Sequence, residues 1–388
     1  MPWSTSCLAV TVATASSLSL DGVYNSEQLN FMSKLLADND DEAEAAAAAV
    51  AARQAIIRPP PPKICGSKKG PPITSPRIKL SDGRHLAYKE RGVPKENAQF
   101  KVIVVHGFDS SKDLYLPISQ ELMDELGIYV VTYDRAGYGE SDPNPKRSVK
   151  SEAYDLQELA DNLHLGPKFH VIGVSIGTYT TWACLKYIPH RHVILALLAG
   201  VGLIVPAINF WWPSFPLQLC SDEYKKQPMK DQWKLRVAHY APGLLYWWMT
   251  QKWFPSCSIM ARDPLIFAKR DFDILKKMLE VPNPDEHKIR QQGEHESLYR
   301  DLMIGFGNWE FDPMELKNPF PDSEGCVQIW QGYQDTLVPF QLQRFLAKKL
   351  PWIKYYEVPD GGHLIIHDNG LCNTIFKTLL LKEEPIII

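Results

Sequence analysis

The sequence predicts an α/β protein with a mostly parallel central sheet, flanking helices and a helical cap inserted late in the chain. Three observations predict it. Short apolar runs at 102–105, 128–133, 169–174 and 193–199 alternate with helix-like stretches near 113–126, near 150–163 and after residue 175. Strands and helices in alternation build a parallel sheet covered on both faces. The alternation stops from about 203 to 315, where no strand is evident and tryptophans are dense, and it resumes at Val327. Lastly, Gly173-Val174-Ser175-Ile176-Gly177 stands at a strand–turn–helix junction, where a serine on a tight turn projects from the end of a sheet.

The elements follow in chain order. Residues 1–70 read as a leader, disordered or partly helical. The alanine-rich stretch at 45–49 favours a short helix, because alanine costs least there. Prolines 59–62 end it and stiffen the chain. Docking of this helix on a membrane or a partner is the functional alternative to a loose leader. Residues 71–202 form the first part of the core and begin with a hairpin, Arg77 to Leu80 and His85 to Lys89 around Asp82-Gly83. Residues 203–315 form the cap and 316–388 the second part of the core. There Val327 to Trp330 and Tyr355 to Val358 read as strands.

Composition bounds the function. The 388 residues are 45% hydrophobic and 22% charged, enough for a large core. A net charge of −3 gives nucleic acid no reason to bind. Seven scattered cysteines without C-x-x-C spacing read as free thiols in a reducing compartment and not as a zinc site. No stretch reaches the roughly 18 to 20 apolar residues of a membrane span. The first basic residue is Lys34, so a charged secretory signal is not expected. Residues 1–20 are acid-free and rich in serine and threonine, as plastid transit peptides are, but lack arginine. A cytoplasmic protein is expected, with a plastid address or peripheral membrane attachment as alternatives.

The chemistry centres on Ser175. A serine needs a neighbouring base to take its proton. His363 follows Gly361-Gly362 just beyond a predicted strand and is the expected base; His367 is the nearest rival. Asp335, also just beyond a strand, is expected to orient His363 and stabilise its imidazolium. Asp360 is the rival acid, but so close in sequence that it suits the turn better. The order serine, acid, histidine is that of the α/β-hydrolase arrangement. The backbone N–H groups of Phe108 and Ile176 are the expected oxyanion donors, with His106 and Gly107 holding their loop. Asp134 to Asp142 reads as a structural loop at the rim of the site. Trp211, Trp212, Trp247 and Trp248 are candidate walls of an apolar substrate pocket, with burial in the cap core as the alternative. Arg147, Lys150, Lys225 and Lys226 read as solvated charge. No metal or organic cofactor is implied.

With these residues in hand, the chain resembles the α/β-hydrolase superfamily over about residues 75–385. The matching segments are His106-Gly107-Phe108, Asp134-Arg135-Ala136-Gly137-Tyr138-Gly139, Gly173 to Gly177, Asp335 and Gly361-Gly362-His363. Residues 59–67, Asp142-Pro143-Asn144-Pro145-Lys146-Arg147, Trp211-Trp212-Pro213 and Val237-Ala238-His239-Tyr240-Ala241-Pro242 resemble a plant, esterase/lipase-like branch. Members of that branch often begin with a hydrophobic anchor, and no convincing one is expected from this sequence. Thr178 stands where many relatives carry a second glycine. Ser175 excludes the dehalogenase and epoxide hydrolase subclasses, whose nucleophile is an aspartate.

The resemblance implies a serine hydrolase for carboxylic esters of apolar or lipid-like substrates, working through an acyl-enzyme. Other readings stay open. A ligand receptor can be built on the same fold with an intact triad, and a lyase can use the same residues. The H-x-x-x-x-D spacing of His363 and Asp368 matches some lipid acyltransferases.

Overall fold

The computed structural model describes residues 58–188, 197–253, 255–261, 263–281, 285–322 and 324–385. The alanine-rich helix, the targeting segment and the first residues of the expected strand at 193–199 lie outside them. The features below belong to the compact unit Pro61–Ile388. The chain runs β1 (Arg77–Lys79), β2 (His85–Gly92), β3 (Phe100–Val105), α1 (Gln120–Leu126), β4 (Ile128–Tyr133), α2 (Val149–Asn162), β5 (Lys168–Val174), α3 (Thr178–Tyr187) and β6 (Leu197–Ile204). Then come α4 (Leu217–Lys226), α5 (Met229–Tyr240), α6 (Leu245–Thr250), α7 (Lys269–Glu280) and α8 (Arg300–Phe306). The last elements are β7 (Val327–Gly332), α9 (Phe340–Lys349), β8 (Ile353–Val358) and α10 (Asn369–Leu381).

The eight strands form one sheet in the order β1-β2-β4-β3-β5-β6-β7-β8. β1 and β2 pair antiparallel, as does β2 with β4; every later pairing is parallel. β3 shows why apolar runs become central strands. Ile103 and Val105 pack into the core on one face, with Leu156, Leu159, Trp182 and Leu342. Val102 and Val104 pack on the other, with Leu122, Met123, Ile375 and Phe376. A strand covered on both faces has no polar alternation to keep.

Two expected boundaries move, each for a local reason. The helix expected near 113–126 starts only at Gln120. Pro117 biases the residue before it away from helical torsions, and the Ser119 hydroxyl caps the helix by accepting the Leu122 N–H at 3.3 Å. The strand expected at 193–199 is seen as Leu197–Ile204. Gly200 and Gly202 look like strand breakers in sequence, yet a Cβ there would meet His170 at 2.9 Å and Ile172 at 3.3 Å, with Leu379 of α10 close to both. They let helix and neighbouring strand close over β6.

Among the described residues no strand lies between β6 and β7. The intervening helices form their own apolar cluster, with Ala238, Leu245, Met249, Leu298 and Leu302 buried beside Tyr138. Lys63 and Cys65, in the segment read as leader, are tied down: Gln292 accepts both backbone N–H groups, through its carbonyl and its Oε1. No helix among the described residues is long and apolar enough to cross a membrane.

Arg147 is a correction. It is buried, not solvated, and its guanidinium pairs with Glu152 and donates to Asp301 at 2.6 Å. Asp301, fully buried at the start of α8, also takes both arms of Arg135 at 2.6 and 2.5 Å and the Tyr138 hydroxyl at 2.6 Å. Burial alone would raise the Asp301 pKa, but Arg135 and Arg147 outweigh it and hold the carboxyl below its ordinary value. The exposed charges expected at Lys225 and Lys226 are exposed. Replacing Asp301 with alanine leaves two buried guanidinium groups without this carboxylate. The expected loss is about 3–5 kcal/mol of stability, read as a lower midpoint in urea unfolding. An unchanged midpoint would refute the role assigned to this carboxylate.

Candidate active site

β5 delivers Ser175. The strand ends at Val174, and Ser175 itself has a φ of 52°, in the left-handed region that a serine enters only under constraint. The turn is tight because the chain returns over β3. A Cβ at Gly177 would lie 2.4 Å from the His106 carbonyl oxygen, and one at Gly173 would lie 2.1 Å from the Thr181 hydroxyl. Thr178, at the position where many relatives carry glycine, is buried and donates its hydroxyl to the Ser175 carbonyl at 2.6 Å. It braces the turn at the start of α3.

The loop after β8 brings His363 to the serine. Its Nε2 lies 2.9 Å from Ser175 Oγ and its Nδ1 lies 2.8 Å from Asp335 Oδ2. Asp335 follows β7. Its Oδ1 accepts the N–H groups of Leu337 and Val338 at 2.9 and 3.0 Å, and its Oδ2 also takes Gln331 Nε2 at 3.3 Å. With every partner of Asp335 a donor, His363 carries its proton on Nδ1, and the Nε2 lone pair faces the serine hydroxyl. Burial pushes the His363 pKa down, but Asp335, helped by Asp271, outweighs it, and the net direction is up.

Asp271 is the residue that sequence reasoning misses. Its carboxylate accepts the backbone N–H groups of His363 at 3.0 Å, Leu364 at 2.8 Å and Ala268 at 3.0 Å. It caps α7 and pins the histidine loop together. In sequence it sits in Lys269-Arg270-Asp271-Phe272-Asp273, which reads as an ordinary charged helix start.

The rivals lie elsewhere. Asp360 is exposed and pairs with Arg270 at 2.6 Å. His367 binds the Tyr115 carbonyl through Nδ1 at 2.5 Å, and burial takes its pKa down to about 4. Asp368 caps α10 through the Leu371 N–H at 3.1 Å and pairs with Arg270, while His363 Nδ1 is engaged by Asp335.

The loop after β3 approaches Ser175 from the other side. A Cβ on Gly107 would lie 3.3 Å from Ser175 Cβ. His106 is fully buried, with Nδ1 on the Gly107 carbonyl at 2.8 Å and Nε2 accepting the Arg135 N–H at 3.1 Å. Burial, with Arg135 adding to it, holds its pKa well below the ordinary value, so His106 is a neutral prop. Arg135 also donates to the Gly107 carbonyl at 3.1 Å. Phe108 and Ile176 line the cavity beside Ser175 and His363. The Phe108 N–H has no acceptor among the described residues.

That cavity is largely apolar. Leu337 and Val338 lie on the sheet side; Phe210, Leu235, Leu302 and Phe306 come from the segment between β6 and β7. None of the four candidate tryptophans lines it. Trp211 stacks on His239 at 4.2 Å between ring centroids, and its indole N–H donates to Tyr240 at 2.7 Å. Trp212 is buried between Phe215 and Trp309. Trp247 packs between Trp248 and Trp253, and Trp248 lies against the apolar cluster of the insertion. These large rings fill gaps between helices and leave smaller side chains at the cavity wall. Gln227, Asp231 and Lys234 are the polar members of that wall, and sequence reasoning does not find them. Asp231, Lys234 and Leu235 share one face of α5 by their three- and four-residue spacing, the signal that could have grouped them.

Comparison with known proteins points to the same fold. The chain is 28% identical over 118 residues to an uncharacterised protein of Bacillus subtilis (strain 168), covering 30% of this chain and 43% of that protein. It is 27% identical over 154 residues to Lipase 1 of Psychrobacter immobilis, covering 39% of this chain and 44% of the lipase. The match thus spans less than half the length of these curated relatives. The crystal structure of the enol-lactonase from Burkholderia xenovorans LB400 is similar in fold, with a TM-score of 0.54 and 15% identity, over 79% of this chain and 100% of that one. Residues 102–371 match the alpha/beta hydrolase family, most of the chain and every strand from β4 to β8, and the chain belongs to that family.

Proposed function

We propose that the protein is a serine hydrolase that cleaves carboxylic esters of apolar or lipid-like substrates through an acyl-enzyme on Ser175. The observation that carries this reading is His363 spanning Ser175 and Asp335 at hydrogen-bond distance on the wall of an apolar cavity. His363 takes the proton of Ser175 Oγ as that oxygen bonds to the ester carbonyl carbon. The carbonyl oxygen becomes an oxyanion that the Phe108 and Ile176 N–H groups stabilise. Collapse expels the alcohol, which leaves with the proton held by His363. Water, deprotonated by the same nitrogen, then releases the acid. Asp335 fixes the tautomer and balances the imidazolium in both steps.

The helices between β6 and β7 act in this reading as a cap. Together with the loops that join them to each other and to β6, they supply most of the aliphatic and aromatic wall facing Ser175, which favours acyl chains over polar esters. One relative is named a lipase, in keeping with the same chemistry. The motif resemblance favours a plant, esterase/lipase-like branch, and the six described cysteines, all unpaired thiols, suit a reducing compartment.

The test is labelling with a fluorophosphonate probe followed by turnover of p-nitrophenyl esters of increasing chain length. Wild type should label, Ser175→Ala should not, and turnover should fall by about a millionfold in the variant. Labelling that survives in Ser175→Ala would eliminate this serine; no labelling of folded wild type would favour a binding protein on a hydrolase fold.

The pH profile tests the histidine separately. The base must be neutral to accept a proton. Because Asp335 raises the His363 pKa above 6.5, kcat/KM should climb with pH through a midpoint above that value. In Asp335→Asn the limb should move to lower pH, and kcat should drop by about ten-thousandfold. A limb that stays in place would show that Asp335 does not set the charge of His363.

A further inference from the structure

The cavity wall carries an ion pair that the chemistry at Ser175 does not use. Asp231 and Lys234 lie one turn apart on α5, both buried, and both line the cavity with Ser175 and His363. Lys234 Nζ donates to Asp231 Oδ1 at 2.6 Å and to Cys257 Sγ at 3.5 Å. Asp231 Oδ1 also accepts the Ser258 N–H at 3.1 Å. Asp231 Oδ2, in contrast, is buried without a well-formed hydrogen bond, as is the Ser258 hydroxyl, which lies close enough to help hold the Asp231 pKa down. Gln227, beside them, donates its Nε2 to the Thr336 carbonyl at 3.2 Å, so its Oε1 is not occupied by that bond.

Stability does not account for this arrangement. A buried ion pair can usually be replaced by apolar side chains at no cost or with a gain. A carboxylate oxygen left without a donor is a further penalty. Burial raises the Asp231 pKa, but the Lys234 ammonium, with hydrogen bonds from Ser258, outweighs it; burial lowers that of Lys234, but Cys257 and then Asp231 outweigh it, so both remain ionised. The wall therefore holds one buried acceptor without a well-formed bond, Oδ2, next to an ammonium whose three hydrogens serve Asp231 Oδ1 and Cys257 Sγ.

We propose that this pair binds a neutral hydroxyl of the substrate, remote from the scissile ester; the inference rests on the hydrolase reading of the same cavity. A hydroxyl donates to Asp231 Oδ2 and accepts from Lys234 Nζ at once. A carboxylate would face Oδ2 unfavourably, and an ammonium would face Lys234. An alkyl group would bury beside both ions and satisfy neither. The preferred esters are thus amphiphilic, with a hydroxyl either on the acyl tail or on the alcohol part, as in a partial ester of a polyol.

The deciding experiment measures binding to the Ser175→Ala protein by calorimetry, with two matched ligand pairs. One pair is the methyl ester of a fatty acid with and without a hydroxyl at the far end of the chain. The other is the glycerol monoester and the methyl ester of one fatty acid. A purely apolar wall disfavours the hydroxyl, so the two models predict opposite signs. The hydroxylated member should bind at least about tenfold tighter in one pair, and that pair identifies which part of the substrate carries the group. Equal or weaker binding of the hydroxylated member in both pairs would overturn the proposal, as it would if a water fills the corner permanently. Asp231→Asn keeps an acceptor for Ser258 and turns the open corner into a donor. In that background the preference should shrink to within about twofold; a preference left intact would exclude Asp231. Because binding is read without turnover, a wild type that hydrolyses no ester would refute the proposed function while this result stood on its own.

Discussion

The Asp301 carboxylate is the constraint on which the neighbouring elements converge. It gathers Arg135 from the loop after β4, Arg147 from just before α2 and the Tyr138 hydroxyl. Its own backbone carbonyl takes the Tyr179 hydroxyl of α3 at 2.8 Å. Arg135 then reaches the Gly107 carbonyl, next to Ser175. The charges balance within the cluster, since Glu152 stands beside both guanidinium groups and accepts the Thr180 hydroxyl at 2.7 Å. In a low-dielectric interior such a network holds its members in one geometry, because any displaced partner leaves an ion unpaired. The serine turn, the loop opposite it and α8 are thereby fixed to a common point.

A second carboxylate does the same for the histidine. Asp271 holds the backbone of His363 and Leu364, and Asp335 holds the ring. One acid sets where the loop lies; the other sets which ring nitrogen carries the proton. The two sides of the site thus come from distant parts of the chain, and Asp301 and Asp271, which position them, lie in neither the serine nor the histidine motif. This division explains how a serine with a strained φ and a histidine on a glycine-flanked loop can meet at 2.9 Å.

What was legible in the sequence follows from the range of each signal. The strands and most of their boundaries could be read because burial on two faces imposes continuous apolar runs. Ser175, Asp335 and His363 could be nominated because each ends a strand and their order along the chain is informative. Residues acting over long separations could not. Arg147 reads as a surface cation until Asp301, 154 residues away, is brought beside it. Asp271 reads as a helix-start charge until the loop 92 residues later folds onto it. The tryptophans mislead for the complementary reason. Their size marks them as important, but a large ring is as useful between helices as in a pocket, and here the indoles pack on His239, Phe215 and one another.

The same contrast governs the cavity. Its aliphatic and aromatic wall would accept any chain of the right length, since dispersion and water exclusion are indifferent to where a chain ends. Discrimination has to come from the few polar atoms that lose something when left unmatched. Two sets of such atoms face this cavity: the serine–histidine pair, to which the proposed ester chemistry falls, and the pair on α5, which no step of that chemistry requires. Carried on a helix of the insertion and not on the sheet, the second set is free to differ while the serine, histidine and aspartate stay fixed by the strands. A fold that anchors its chemistry to strand ends and its selectivity to an inserted helix can change one without disturbing the other.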